Sequence, residues 1–356
     1  MEKMNLGVIV PDKFNPPLLS LLKYLKRKVT PILITYGERR LSSSPNFYYV
    51  EEFLQKEHIK REYIATIKFK QDIPLLLRKY DLDIAIGGEF FWLSNVVFRL
   101  LTTNNFYSYT FENIPTVLRN LRKFFLLTSN ILYKKIIFPV PSTKEVWIKE
   151  GIREEKTAII PYGVDTELFK PSRNKLEDKL KIIFIGRICE AKGLDYLFDA
   201  LRLIKKTIPT SLTIIGSGEV DRYRILALKM GITDSVNFLG PVRYDMLPKY
   251  LEQNNVLVLP SVTTKNWKEQ YGMVLIEAMA TGRVVIGSDS GAIPDVINGA
   301  GIVVREKQSD DIADALMKLW NNPDYLKFYS EKGINKVREK YAAGRVAKKY
   351  FDLFNV

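Results

Sequence analysis

The chain has 356 residues, 46% hydrophobic and 26% charged, an ordinary globular composition with enough length for two domains. Lys and Arg outnumber Asp and Glu by 54 to 40, and the net charge of +14 attracts anions: phosphates, anionic lipid or nucleic acid. A single cysteine, Cys189, excludes an intramolecular disulfide, and with only one histidine, His58, a Cys/His metal site is excluded too.

The N-terminal MEKMNLGVIVPDKF reads as a strand and a turn rather than a signal peptide, and no apolar run reaches membrane-spanning length. A cytoplasmic protein is expected. MNLGVIV (4–10) is a predicted strand, PPLLSLLKYLKRK (16–28) a helix with Pro in its first turn, and TPILITY (30–36) a second strand. RRLSSSPN (39–46) reads as a loop, IPLLLRKY (73–80) as a helix and DIAIGGE (83–89) as a strand ending in two glycines. FWLSNVVFRLLTT (91–103) has helical pattern, FYSYTFEN (106–113) that of an aromatic strand, and 114–135 that of a helix. IIFPVPS is a strand, STKEVWIKEG a short helix closed by Gly151, and KTAIIPYGVD (156–165) ends the half. The polar, aperiodic stretch 166–179 reads as a linker.

Stronger apolar strands follow: 181–186, 212–218, 236–240, 255–261, 283–289 and 301–306, with helices between them. Apolar strands alternating with helices imply parallel sheets covered on both faces. Ligands in such folds bind beyond the carboxyl ends of the strands, where the glycines, Arg187, Lys192 and Glu269 fall.

The most informative stretch is NWKEQYGMVLIEAMA, 266–280. Glu269 and Glu277 stand eight positions apart around an uncharged run, and apolar Met273, Val274, Ile276, Met279 and Ala280 predict one buried face of a helix starting near Gly272. Glu269 then precedes the helix and Glu277 lies inside it. A helix start offers unpaired N–H groups and a partial positive charge to an anion. Carboxylates accept hydrogen bonds from hydroxyls, so a phosphate seat between two carboxylates suits a nucleotide-sugar. A solvated helix face is the competing reading; Glu277, flanked by Ile276, Ala278 and Met279, argues against it. Arg187 and Lys192 lie five apart after KIIFIG, with Gly186 and Gly193 permitting a tight turn, and two cations above a strand end can neutralise a diphosphate. They could equally be surface cations. GSGE (216–219) and GAIPDVI (291–297) add glycine turns of low specificity.

Taken together, IIPYGVDTELF, GRICEAKGLDYLFDAL, IIGSGE, VNFLGPV and EQYGMVLIEAMATGRVVIGSDSGAIPDVI resemble a large family of retaining glycosyltransferases that includes sucrose synthase and the phosphatidylinositol mannosyltransferases. The resemblance runs from about Ile159 to Val304. It implies an α/β GT-B fold, two Rossmann-like parallel-sheet domains facing a central cleft. The implied division is 1–168 for the acceptor domain, 169–335 for the donor domain, and 336–356 as a terminal helix returning to the first.

The resemblance also implies roles. Arg187 and Lys192 would hold the donor diphosphate, Glu269 the donor sugar hydroxyls and Glu277 the ribose. Gly186, Gly216 and Gly272 would line the donor site, the N–H groups of Met273, Val274 and Leu275 would meet the phosphate, and Gly240 to Arg243 would border the base. The substrate would be a UDP- or GDP-linked sugar, with no separate cofactor and no metal. Many relatives carry a glycine pair after the first strand, where this chain has PDKFNPP, and a histidine near the donor sugar. His58 reads as solvated, so Glu112 and Asn113 are expected to replace that histidine. Asp295 stands where relatives often have Glu.

The hydroxyl acceptor is open. Residues 91–144 hold seven basic residues and one acid, Glu112, interleaved with Phe91, Trp92, Phe106, Tyr107, Phe124 and Phe125. In 114–135, Val117, Leu118, Leu121, Phe124, Phe125 and Leu132 recur at helical spacing beside Arg119, Arg122, Lys123, Lys134 and Lys135. That pattern fits a core helix with a solvated basic face. It also fits a peripheral contact with anionic lipid at the inner membrane face, and hence a lipid-linked or glycoconjugate acceptor. A sugar-nucleotide 2-epimerase of the same fold and a non-catalytic relative are the alternatives; the epimerases lack the paired Arg/Lys and Glu/Glu spacing. Nucleic acid is suggested by charge alone, without a motif.

Overall fold

A computed structural model describes residues 3–11, 16–36, 46–64, 80–89, 93–101, 105–110, 112–114 and 122–355. The predicted loop 39–46 and helix 73–80 lie outside these residues except for Asn46 and Tyr80. So do most of PDKFNPP, Phe91, Trp92, Val117, Leu118, Arg119 and Leu121.

The chain forms two compact units, Met1–Gly163 with Ala343–Val356, and Val164–Ala342. The first unit runs β1 (Met4–Pro11), α1 (Pro16–Leu25), β2 (Val29–Tyr36), α2 (Asn46–Lys56), β3 (Lys60–Ile64), β4 (Ile84–Gly87), α3 (Leu93–Leu101), β5 (Phe106–Tyr109), α4 (Arg122–Leu132), β6 (Ile136–Phe138), α5 (Pro141–Lys149) and β7 (Thr157–Ile159). Its seven strands are ordered β3-β2-β1-β4-β5-β6-β7, and every pair is parallel. Strands β1 and β4 are apolar because helices cover both faces. Edge strand β3 reads KREYI, and its charges hid it from the pattern reading; charge is what keeps an edge from pairing with another chain.

The second unit runs β8 (Leu180–Ile185), α6 (Leu194–Ile204), β9 (Thr210–Ile215), α7 (Val220–Lys229), β10 (Val236–Gly240), α8 (Leu247–Glu252), β11 (Val256–Leu259), α9 (Met273–Ala280), β12 (Val284–Ser288), α10 (Ile293–Ile297), β13 (Ile302–Val304), α11 (Ser309–Asn321) and α12 (Pro323–Lys336). Its sheet is ordered β10-β9-β8-β11-β12-β13, again parallel throughout. Both units are thus Rossmann-like sheets, as the alternating pattern predicts. After a π-helical turn, Val337–Tyr341, α13 (Ala343–Phe354) packs in the first unit. Its Val346, Ala347, Tyr350, Phe351 and Phe354 join Leu19, Leu22 and Leu25 of α1 in one core. Each large side chain so buried contributes roughly 1.5–3 kcal/mol before entropy is counted.

Residues 166–179, predicted as a linker, are instead tied to the second unit. Phe169 is fully buried, its ring 5.4 Å from that of Tyr244. Asn174 Nδ2 donates to the carbonyls of Asn255 (2.9 Å) and Gly282 (3.1 Å). Arg283, 1% exposed, donates to Ser172 O (2.7 Å), Asn254 O (3.0 Å), Glu252 O (3.1 Å) and Thr281 O (3.0 Å). Burial pushes its guanidinium down to about 10. Polar side chains hold this stretch by bonding main chain at the amino ends of strands, and no hydrophobic period marks that kind of attachment. Among the described residues no helix is long and apolar enough to cross a membrane.

Candidate active site

A glycine directly follows β8 and β9, and β10 ends on one. Gly186 N–H donates to Ile215 O and Gly216 N–H to Gly240 O, both at 3.0 Å, so Gly186, Gly216 and Gly240 form a continuous strip without side chains. The next turn leaves Arg187 exposed and, among the described residues, without an ion pair. Lys192 closes a 3-10 turn, Glu190–Lys192, that presses on the end of β11: a Cβ on Gly193 would lie 1.9 Å from Pro260 O.

That approach carries Lys192 to Glu269. Lys192 Nζ lies 2.5 Å from Glu269 Oε2, and Ser261 Oγ donates to the same oxygen at 2.6 Å. The two side chains are only 13% and 8% exposed. Two charges so far from water stabilise each other only if both remain, so removing either would strand the other at a cost of about 3–5 kcal/mol. The Glu269 main chain is fixed as well: its carbonyl accepts from Ala292 N–H at 3.0 Å, and its N–H donates to Ser290 Oγ at 3.4 Å. Gly291, at φ +54, makes this possible, since a Cβ there would lie 2.0 Å from Glu269 O.

Helix α9 begins where the sequence places it. Gly272, at φ +79, is the N-cap and has no side chain to satisfy the first N–H groups. Leu275 N–H bonds Gly272 O at 2.9 Å. It is therefore already used, and Met273 and Val274 present the N–H groups without an acceptor among the described residues. The predicted one-sided burial is too narrow: Leu275 to Ala280 are all buried, whereas Met273 and Val274 are half-buried. Packing against β11, β12, α10 and α12 leaves no solvent face for those six residues.

Glu277 is 2% exposed and accepts from Tyr244 Oη at 2.9 Å. Burial pushes its carboxyl up to about 7, and the Tyr244 hydrogen bond pulls less strongly the other way. Arg243, predicted beside the base, grips Asp245 with Nε at 3.0 Å and Nη2 at 2.7 Å, holding that carboxyl below its usual range.

In the first unit, Glu112 is half-buried and Asn113 buried beyond β5. Glu112 O accepts from Trp147 Nε1 at 2.6 Å, and its Oε1 accepts from Ile114 N–H at 3.1 Å, so this stretch is braced rather than loose. His58 is exposed at φ 51, a solvated turn residue. Glu89, a carboxylate after the strand-ending glycine pair, carries no mark in the sequence beyond its place there. It is 4% exposed, bonded by Thr110 Oγ1, and its carbonyl accepts from Asn95 Nδ2 at 2.6 Å. Ser261, Trp267, Ser290 and Tyr244 likewise have no charge or spacing to mark them in the sequence. Among the described residues no three His, Cys, Asp or Glu side chains gather as metal ligands would.

The two Rossmann-like parallel-sheet units have the GT-B fold. A glycosyltransferase from Rickettsia africae superposes with a TM-score of 0.81 at 18% identity, covering 99% of this chain and 98% of that one. Anabaena Alr3699/HepE in complex with UDP gives 0.80 at 16%, covering all of both chains. Residues 165–336 match the family of glycosyl transferases group 1. An uncharacterized glycosyltransferase of Methanocaldococcus jannaschii is 31% identical over 62% of this chain and 56% of its own. The GDP-mannose-dependent alpha-(1-6)-phosphatidylinositol monomannoside mannosyltransferase of Mycobacterium tuberculosis is 33% identical over 45% of this chain and 46% of its own. The matches thus span about half the length of these relatives.

Proposed function

We propose that this protein is a retaining, metal-independent glycosyltransferase that moves a sugar from a UDP- or GDP-linked donor to a hydroxyl acceptor. The observation that carries the reading is the buried Lys192–Glu269 pair beside the uncapped start of α9. In this reading the donor's phosphate takes the N–H groups of Met273 and Val274, and Lys192 and Arg187 balance its charge. Glu269 accepts from the sugar hydroxyls and Glu277 from the ribose. The bond from the anomeric carbon to the diphosphate oxygen breaks, and its electron pair leaves with the diphosphate. The acceptor oxygen bonds that carbon on the same face and passes its proton to the leaving oxygen. No metal is needed if the two cations supply the compensating charge.

A lipid-linked acceptor is supported by α4. Phe125 and Ser129 face the core, while Phe124, Leu127 and Ile131 are 45%, 62% and 64% exposed. The helix therefore has a second apolar face in solvent beside the surplus of basic residues, as an interfacial helix does. The mycobacterial relative, a phosphatidylinositol monomannoside mannosyltransferase, points the same way.

The test supplies UDP- and GDP-linked hexoses with and without a membrane lipid extract and follows nucleoside diphosphate release. Release that depends on the extract, and falls about 100-fold or more in Lys192→Ala, is the expected result. Conversion of the donor sugar without any acceptor would overturn the transferase reading in favour of an epimerase.

A further inference from the structure

We infer that Trp267 is a positioning residue for the Lys192 ammonium, a role that rests on the donor site proposed above. Lys192 Nζ lies 4.8 Å from the centroid of the Trp267 ring while it bonds Glu269 Oε2 at 2.5 Å. One loop, between β11 and α9, therefore presents both a π face and a carboxylate to the same cation. A cation over an indole face within about 6 Å is attracted by the ring quadrupole, most strongly where water is scarce. The Lys192 side chain is 13% exposed.

The loop that carries the ring is held in place. Thr264 N–H donates to Trp267 O at 2.7 Å, closing a tight turn. Below it, Thr263 N–H donates to Glu306 Oε2 at 2.6 Å, and Thr263 Oγ1 bonds Glu306 Oε1. Thr263 Oγ1 also lies 3.1 Å from Ser290 Oγ, the atom that meets Glu269 N–H. Glu306 is fixed in turn by its N–H donating to Asp289 Oδ1 at 2.7 Å. Trp267 and Glu269 are thus parts of one braced loop.

The ring and the carboxylate must act differently when a donor binds. A diphosphate competes with Glu269 for the positive charge of Lys192, and sugar hydroxyls compete with Lys192 for Glu269. The indole bears no net charge, so it goes on holding the ammonium while the carboxylate turns to the sugar. Trp267 therefore keeps Lys192 at the diphosphate position after its ion pair is lost.

The test titrates UDP and GDP, and the nucleosides uridine and guanosine, into native protein, Trp267→Phe and Trp267→Leu. The expected result is a diphosphate affinity roughly 3- to 30-fold weaker in Trp267→Leu, largely kept in Trp267→Phe, with nucleoside binding unchanged. Equal diphosphate affinity in the native and Leu proteins overturns the inference, as does an equal loss in the Phe and Leu variants. A double-mutant cycle of Trp267→Leu with Lys192→Met, read by thermal unfolding, needs no ligand. Non-additivity supports the contact, and strict additivity contradicts it. If native protein binds none of the nucleotides while the cycle shows coupling, it is the donor-site reading that has failed.

Discussion

Glu277 shows how much one buried carboxylate can set. Its carboxyl is pushed from 4.5 to about 7 by burial, so the folded chain holds that proton more tightly than the unfolded chain. The protonated form's contribution is complete below pH 4.5 and is lost as pH rises through about 7. Glu277→Gln puts a neutral amide in its place and removes that dependence. Between pH 4.5 and 8 the native protein should lose up to ~3 kcal/mol relative to Glu277→Gln, measured by urea unfolding across the range. A constant difference between the two would mean that Glu277 ionises in the fold as freely as in water. The apolar neighbours of Glu277 made its burial legible in the sequence. Its partner Tyr244 was not legible, since it lies 33 residues away and only the fold brings the hydroxyl within 2.9 Å. The same holds for Ser261 at Glu269: short polar side chains carry no pattern until a strand end aims them.

At the scale of elements, the loop from β11 to α9 is fixed from outside by the turn after β12. Gly291 lets that turn touch the Glu269 main chain, with room for no Cβ. Gly291→Ala should destabilise the protein by at least ~1–3 kcal/mol through strain and displacement of Glu269, and weaken nucleotide binding with it. Thermal unfolding with and without ligand checks both; a variant of native stability would show that the contact relaxes freely. The strands of the second unit were legible because apolar runs buried on both faces leave no other reading. Edge strand β3 was lost to its charges, and 166–179 was lost because Ser172 and Asn174 fasten it by hydrogen bonds to main chain. Helix α4 was legible as a helix but not in its facing: the spacing that buries Phe125 also sends Leu127 and Ile131 into solvent.

For the whole molecule, the surplus of 54 basic over 40 acidic residues and the apolar ridge of α4 together bear on where the protein works. Native protein should float with anionic vesicles at low salt and be released as salt rises, whereas Leu127→Asp with Ile131→Asp should lose most of that binding. Absence of binding at low salt would remove the membrane from the account and leave the ridge to another partner. A thermal-shift panel of nucleoside diphosphates and their sugars, on native protein and Glu277→Ala, probes the donor site itself. A ligand that binds only the folded chain raises its melting temperature by mass action. One nucleotide series, uridine or guanosine, should stabilise the native protein, and Glu277→Ala should lose the response. A native protein indifferent to every nucleotide, or a variant that responds as fully as native, would contradict the donor-site reading.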